Sequence, residues 1–454
     1  MGKMTRHCKK SVFIVHCIDT EGPLYESVSA TFQRLEDLLG IKIEKKTKTY
    51  LDDLRKGKID LAAKEDIMTI LSGHLSNYNT TWDAIDKMHE KILGNAFRNK
   101  LLDASGNGWV FNWHCLDHVG YEYNPRRRDI GYHNIFDHYK ELLNVYDAEE
   151  IDDIQWHYHP MSTYREAHRC ATSYATSAEL YQILSRRIIE RQWFPSVFRA
   201  GFQAERPDSN LFLEQWIPFD MTNMATDDPE ALNGYIDFRN GRSGDWRRAP
   251  SDWSIYSPHH DDYQIAGSCR RKIGRSLNVL NRIASIDQDE MDKAFKRANE
   301  GAPALVGLAS HDFRDLGAEV DYVRDLINKS KERFPEVDFR FMKATHAFKS
   351  YMEESGEDIN VEPLQLEARL VEEADDVPYL EVIQTRGECF GPQPYLAIKS
   401  KSRGFKHDNF DFDLRKGRWF YAFHPDTLPL SDVDSLGVAS ADRLGNTSVV
   451  TLTP

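Results

Sequence analysis

Between residues 12 and 342, short runs that are apolar at nearly every position alternate with segments whose apolar residues keep helical spacing. Val12-Phe13-Ile14-Val15-His16-Cys17-Ile18 is the clearest run; Trp109 to Trp113, Ile154 to His159, Val197-Phe198-Arg199, Ala304 to Ala309 and Val337 to Met342 follow it. A strand with one wet face alternates polar with apolar residues, whereas a strand covered on both faces stays apolar throughout. The intervals carry helical patterns: Phe136 to Val145, Ser177 to Arg191 with Leu180, Ile183, Leu184 and Ile188 on one face, Ser209 to Trp216, and Val320 to Phe334. Buried strands separated by helices imply an α/β domain with a parallel sheet, and the number of units suits a (β/α) barrel better than a small open sheet. Barrels of this kind carry their chemistry at the C-terminal ends of the strands.

Two departures set the domain plan. Residues 24 to 105 read mostly as helix, with Phe32-Leu35-Leu38-Leu39 and Ile85-Met88-Ile92 in register, so a helical insertion separates the first two strands. After Tyr351 comes an acidic linker, Glu353 to Asp358, and then short alternating runs: Leu364 to Leu370, Tyr379 to Ile383, Tyr395 to Ile398, Phe410 to Phe412, Trp419 to Phe423 and Val449 to Leu452. Their spacing predicts a β-sandwich. The expected organisation is a barrel over residues 1–352 and a separately folded sandwich over 360–454, docked on the barrel and serving binding or assembly rather than chemistry.

Composition narrows the function. The chain has 454 residues, 41% of them hydrophobic, enough for a large core. A formal net charge of −14 argues against general nucleic-acid binding. The basic clusters Arg126-Arg127-Arg128 and Arg270-Arg271-Lys272 read as solvent-facing loop charge. The six cysteines include no CxxC pair, so a zinc–thiolate centre is not indicated and reduced thiols suffice. The run behind the basic start is too short for a signal-peptide core, and no stretch is long enough to span a membrane. The expectation is a cytoplasmic protein, with a homo-oligomer allowed.

Four segments at strand ends carry the polar groups: Ile18-Asp19-Thr20-Glu21-Gly22-Pro23, Trp156-His157-Tyr158-His159-Pro160, Phe198-Arg199-Ala200-Gly201 and Leu308-Ala309-Ser310-His311-Asp312. His157 and His159 are two apart, and so are Asp19 and Glu21. Alternation along a strand puts each pair on one face. Two imidazoles and a carboxylate can hold a divalent ion, and the second carboxylate is then spare as a base. Carboxylates that end a buried strand need a cation or donors beside them. Arg199 can orient one, and His311 can protonate a leaving amine. An isolated pair of this kind is more often two ordinary histidines; the combination across strands favours the metal.

These residues resemble the motifs of the polysaccharide deacetylase family (NodB-homology domain, carbohydrate esterase family four), over roughly residues 11 to 348. Asp19-Thr20-Glu21 is similar to the motif that carries the base and a metal-ligand acid, with Glu in the ligand's place. Asp153-Ile154-Gln155-Trp156-His157 is similar to the approach to the histidine motif. That motif separates its two histidines by three residues, whereas the position four after His157 is Met161. His159 takes the second place, with His168 the weaker choice. Arg199-Ala200-Gly201-Phe202 resembles the arginine motif and Ala309-Ser310-His311 the last one. Asp245-Trp246 or Asp252-Trp253 stands for an acidic-aromatic motif.

The resemblance implies a metal-dependent hydrolase that removes an N-acyl group, acetyl first among them, from a sugar. Asp19 is then the base, Arg199 its partner and His311 the acid. Glu21, His157 and His159 are the metal ligands, and Trp156, Gly201, Asp245 and Trp246 are substrate contacts. Zinc is favoured, with cobalt, nickel or manganese compatible with the same ligands. The expected partner is an N-acylated sugar or glycan precursor, which suits surface-glycan biosynthesis. Two other readings stay open: an amidase acting on a non-sugar amide, and a catalytically silent glycan-binding protein.

Overall fold

The computed structural model describes residues 11–160, 173–228, 243–281, 283–373 and 376–454. Its centre is a closed parallel barrel. The strands are β1 (Ser11–Thr20), β2 (Phe111–Cys115), β3 (Asp153–Tyr158), β4 (Val197–Ala200), β5 (Phe219–Asn223), β6 (Lys272–Asn278) and β7 (Ala304–His311), with β8 (Asp338–Phe341) beside them. The order is β2-β3-β4-β5-β6-β7-β1-β8, and a further β1–β2 pairing closes the ring.

β1 makes that closure because it is ten residues long and buried throughout. Its lower half, Ser11 to Ile14, pairs with β8, and its upper half, His16 to Thr20, pairs with β2. The barrel therefore seals directly at the C-terminal end of β1, where Asp19 lies.

The insertion is helical, as its spacing predicts: α1 (Val28–Leu39), α2 (Lys48–Arg55), α3 (Lys64–Ile70), α4 (Gly73–Ser76), α5 (Trp82–Ile92) and α6 (Asn95–Arg98). Side chains that accept from backbone N–H groups start its longer helices, Ser27 from Ala30 for α1 and Thr81 from Ala84 for α5. The barrel helices are α7 (Asn134–Val145), α8 (Ala178–Arg191), α9 (Pro207–Trp216), α10 (Gln288–Asn299), α11 (Leu316–Arg333) and α12 (Ala344–Glu354).

Two antiparallel four-stranded sheets follow. One has the order β13-β14-β10-β9 and the other β12-β11-β15-β16. These strands are β9 (Gln365–Val371), β10 (Tyr379–Arg386), β11 (Tyr395–Ser400), β12 (Phe405–Asp408), β13 (Asp411–Phe412), β14 (Arg418–Ala422), β15 (Val433–Ala441) and β16 (Thr447–Leu452). Leu380 and Val382 of one sheet and Leu396, Ile398, Leu436 and Val438 of the other share a core. Phe410 and Trp419 are buried in it.

The sandwich docks on the barrel through α8. Leu180, Ile183, Leu184 and Ile188 of α8 form one cluster with Tyr395, Ala397 and Ala439 of the sandwich. The Tyr395 hydroxyl donates to the Tyr181 carbonyl at 2.9 Å, and Ser185 Oγ donates to the Lys406 carbonyl at 3.1 Å. Among the described residues, no helix is long and apolar enough to cross a membrane. The four described cysteines are free.

Candidate metal centre at the strand ends

β1 delivers Asp19 to the barrel mouth almost wholly buried, with only 2% of its surface exposed. Burial pushes its carboxyl up, but the Arg199 charge, helped by His157, the Arg199 hydrogen bonds and His311, holds it well below the usual carboxylate range. Arg199 clamps both oxygens, Nε to Oδ1 at 2.6 Å and Nη2 to Oδ2 at 2.9 Å, while its Nη1 donates to the Met221 carbonyl at 2.8 Å. The fork fixes the carboxylate in one orientation.

Glu21 lies past the end of β1 and splits its two oxygens between two environments. Oε2 meets Arg128 Nη2 at 2.5 Å. Oε1 points to the histidines, 3.3 Å from His159 Nε2 and 3.9 Å from His157 Nε2. The turn that holds it is built by Asp312, which accepts from the Glu21 and Gly22 N–H groups at 3.0 and 2.9 Å and from the Tyr139 hydroxyl at 2.9 Å. Gly22 has φ +67°, and a Cβ there would meet the Trp82 ring at 3.0 Å, so the turn requires glycine twice over.

His157 Nδ1 lies 3.0 Å from the Arg199 carbonyl, which can only accept, so Nδ1 carries the proton and Nε2 presents a lone pair. His159 Nε2 lies 3.1 Å from that lone pair. His159 Nδ1 is buried and has no partner among the described residues. The β4 chain leaves room for this ring only because residue 201 is glycine: a Cβ there would meet His159 at 2.2 Å.

Glu21 Oε1, His157 Nε2 and His159 Nε2 form a buried three-donor group. Their mutual separations are 3.1, 3.3 and 3.9 Å. A triangle with those sides has a point equidistant from its corners at about 2.0 Å, the length of a zinc–nitrogen or zinc–carboxylate bond. The three atoms converge on one point, so the group can hold a divalent cation in place of the proton that His159 Nε2 shares with His157 and Glu21. A second group, Asp86, His89 and His138, comes from α5 and α7 rather than from strand ends, and its His138 Nε2 is already paired with Asp86 at 2.9 Å.

His311 Nε2 lies 3.9 Å from both Asp19 Oδ2 and Glu21 Oε1. Burial pushes the His157 and His311 imidazoles down to about 4 against the pull of the neighbouring carboxylates. His114 of β2, opposite Asp19 in register, is pushed down by burial to about 3.

The cleft over these groups measures about 230 Å³. Leu24, Arg34, Leu38 and Tyr78 of the insertion form part of its wall, and Phe202, Gln203 and Phe313 another part.

Asp19, Glu21, His157, His159, Arg199 and His311 thus come together as the sequence suggests. The four expected substrate contacts do not: among the described residues, none lines the cleft. Trp156 is the neighbour of His157 on β3, so alternation turns it the other way, into the core against Phe198. Gly201 is filled against by His159. Asp245 pairs with Arg247 at 2.9 Å on the surface, and Trp246 is buried with its Nε1 donating to the Gln203 carbonyl at 2.9 Å. The alternative pair is also structural: Asp252 binds Arg297 at 2.6 Å, and Trp253 is buried under Arg275. His168 and Met161 lie outside the described residues.

The basic clusters need correction as well. Arg128 is 8% exposed and touches a ligand candidate, and Arg271 is fully buried between Glu205 and Asp220. Arg128, Asp312 and Tyr139 are the site residues that sequence reasoning missed; the only local signal was the acid directly after His311.

Comparison with protein-family models, with curated proteins and with solved structures returns no match for this chain.

Proposed function

We propose that the protein is a metal-dependent amide hydrolase of the polysaccharide deacetylase type that removes an N-acyl group, in first place acetyl, from a sugar. The observation that carries this reading is the division of labour between two acids two residues apart. Glu21 Oε1 belongs to the three-donor group, whereas both Asp19 oxygens are held by Arg199 and stay out of it.

Glu21, His157 and His159 would hold the ion. Asp19, made a weak base by Arg199, needs an acidified water to deprotonate, and a divalent cation supplies that acidity and polarises the amide carbonyl when bound. Asp19 then accepts the water proton in a fixed orientation. His311, 3.9 Å from Asp19, would relay that water proton to the amine nitrogen as the C–N bond breaks, so its depressed imidazole carries no net charge between turnovers. Phe202, Gln203 and Tyr78 line the cleft in which the sugar would sit. Zinc suits the nitrogen–oxygen ligand set.

The test measures acetate release from N-acetylated sugars together with metal content. Asp19→Asn should keep the ion and lower turnover by at least about a hundredfold, the scale of a lost general base. Unchanged turnover would place the base elsewhere, and no acetate release by the metal-loaded wild type from any N-acylated sugar would sink the reading.

A further inference from the structure

The cleft is more basic than the chain around it. The protein carries a net charge of −14, yet Arg34, Arg126, Arg128 and Arg314 line the cleft against the carboxylates of Asp19, Glu21 and Asp37. Among the described lining residues that leaves an excess of one positive charge, and a divalent cation would raise it to three. Just behind the lining, Arg199 and Glu26 cancel each other, and Asp312, its carboxyl raised by burial to about 7, adds part of a negative charge.

The excess is concentrated on one loop. Arg34 binds both oxygens of Glu26 at 2.9 Å, and Arg126 Nε reaches the same carboxylate only at 3.6 Å, so two guanidiniums share one acid. Burial, with Arg34 and Arg128 adding like-charge repulsion against the pull of Glu26, lowers the proton affinity of Arg126. Arg128 is the decisive residue. Its side chain is 92% buried, its Nη2 is bound to Glu21, and its Nη1 is buried with no hydrogen-bond partner among the described residues. A buried guanidinium N–H left unpaired is costly. The cost is larger once Glu21 gives its charge to a metal ion.

We propose that the substrate carries an oxyanion group, a carboxylate or a phosphate, which docks on Arg128 and Arg126 beside the N-acyl group. The N-acyl half of this statement rests on the hydrolase reading; the anion seat does not. The seat uses the planar fork that arginine offers to two oxygens at once. It makes a neutral N-acetyl sugar a poor ligand and an acidic or phosphorylated one the right one.

Calorimetric titration of the metal-loaded full chain with inorganic phosphate, acetate, N-acetylglucosamine, its 1-phosphate and its uronic acid tests this. The charged sugars should bind about ten- to a hundredfold more tightly than the neutral one, the scale of one or two charge-assisted hydrogen bonds. Which of the two charged sugars wins tells phosphate from carboxylate. Arg126→Gln should erase most of that preference with the metal content unchanged and weaken inorganic phosphate; Arg128→Gln, titrated at saturating metal because Arg128 also holds Glu21, should do the same. Phosphate on the metal ion alone would be indifferent to Arg126→Gln. Equal affinity for charged and neutral sugars, a preference that survives both variants, or no detectable binding of any anion overturns the seat. Tight binding of a charged sugar without acetate release leaves the seat standing and removes the hydrolase reading; equal hydrolysis of charged and neutral sugars does the reverse.

Discussion

The barrel mouth and the seam between barrel and sandwich both bury histidines, and they use them oppositely. At the mouth, His157 and His159 face Glu21 with their Nε2 atoms converging on one point. At the seam, His407 donates from Nδ1 to the Leu396 carbonyl at 3.0 Å and lies among rings, stacked on Tyr395 at 4.1 Å and edge-on to Trp216 at 5.1 Å. Burial lowers His157 and His407 alike, each to about 4. A depressed imidazole is therefore no sign of chemistry. What separates a ligand from a packing group is whether the second nitrogen faces an acid and another lone pair or an apolar wall.

Experiments can break or sharpen this contrast. The largest effect is expected from removing everything after Ser355. The four α8 side chains that the sandwich covers are each worth about 1.5–3 kcal/mol of burial. The fragment should aggregate or melt well below the whole chain in a thermal scan. A fragment that melts with the whole chain would show the seam to be incidental.

Next in size is His157→Ala. It should weaken zinc binding at least a hundredfold (~100, the upper scale for perturbed metal sites), read by competition with a chelating dye. His407→Ala should leave zinc binding untouched; if it does not, the two regions are coupled.

A smaller effect separates the two through pH. The His407 value in the folded chain lies below the ordinary 6.5, so its contribution to stability is full above pH 6.5 and is lost as pH falls toward 4. His407→Phe keeps the ring and removes the titration. It should change stability at pH 7.5 by less than about 1.5 kcal/mol. It should also flatten the decline between pH 6.5 and 4 by about 2–3 kcal/mol relative to wild type in denaturant titrations. An unchanged slope would mean that His407 titrates freely. The smallest effect belongs to the exposed His424: His424→Ala should move stability by no more than about 0.5 kcal/mol.

Much of the fold was legible because it is local. β1, β3, β4 and β7 read as buried strands from their own residues, and α1 and α5 as helices from theirs. Alternation alone put Asp19 with Glu21 and His157 with His159. β5 and β6 escaped because they are strands with polar interiors. Phe-Asp-Met-Thr-Asn holds Asp220, and Lys-Ile-Gly-Arg-Ser-Leu-Asn holds Arg275, which reaches Glu290 at 2.6 Å. β15, central in its sheet, shows no clean alternation because its upper half is buried on both sides, under the other sheet and against α8.

The sequence by itself determined the barrel class, the helical insertion, the all-β tail and which residue types gather at the strand ends, since periodicity reports which way each side chain points. Only the tertiary structure decided what those side chains meet. Arg199 finds Asp19 from 180 residues away, and the closure of β1 on β2 brings His114 opposite it. Arg128 has the same local setting as a solvated loop arginine, and becomes part of the centre because the folded turn brings Glu21 to it. Trp156 sits one residue from His157 and faces the opposite way. The physical reason is one of range: backbone geometry fixes orientation over a few residues, whereas the compensation of a buried charge is settled between segments that only the closed barrel brings together.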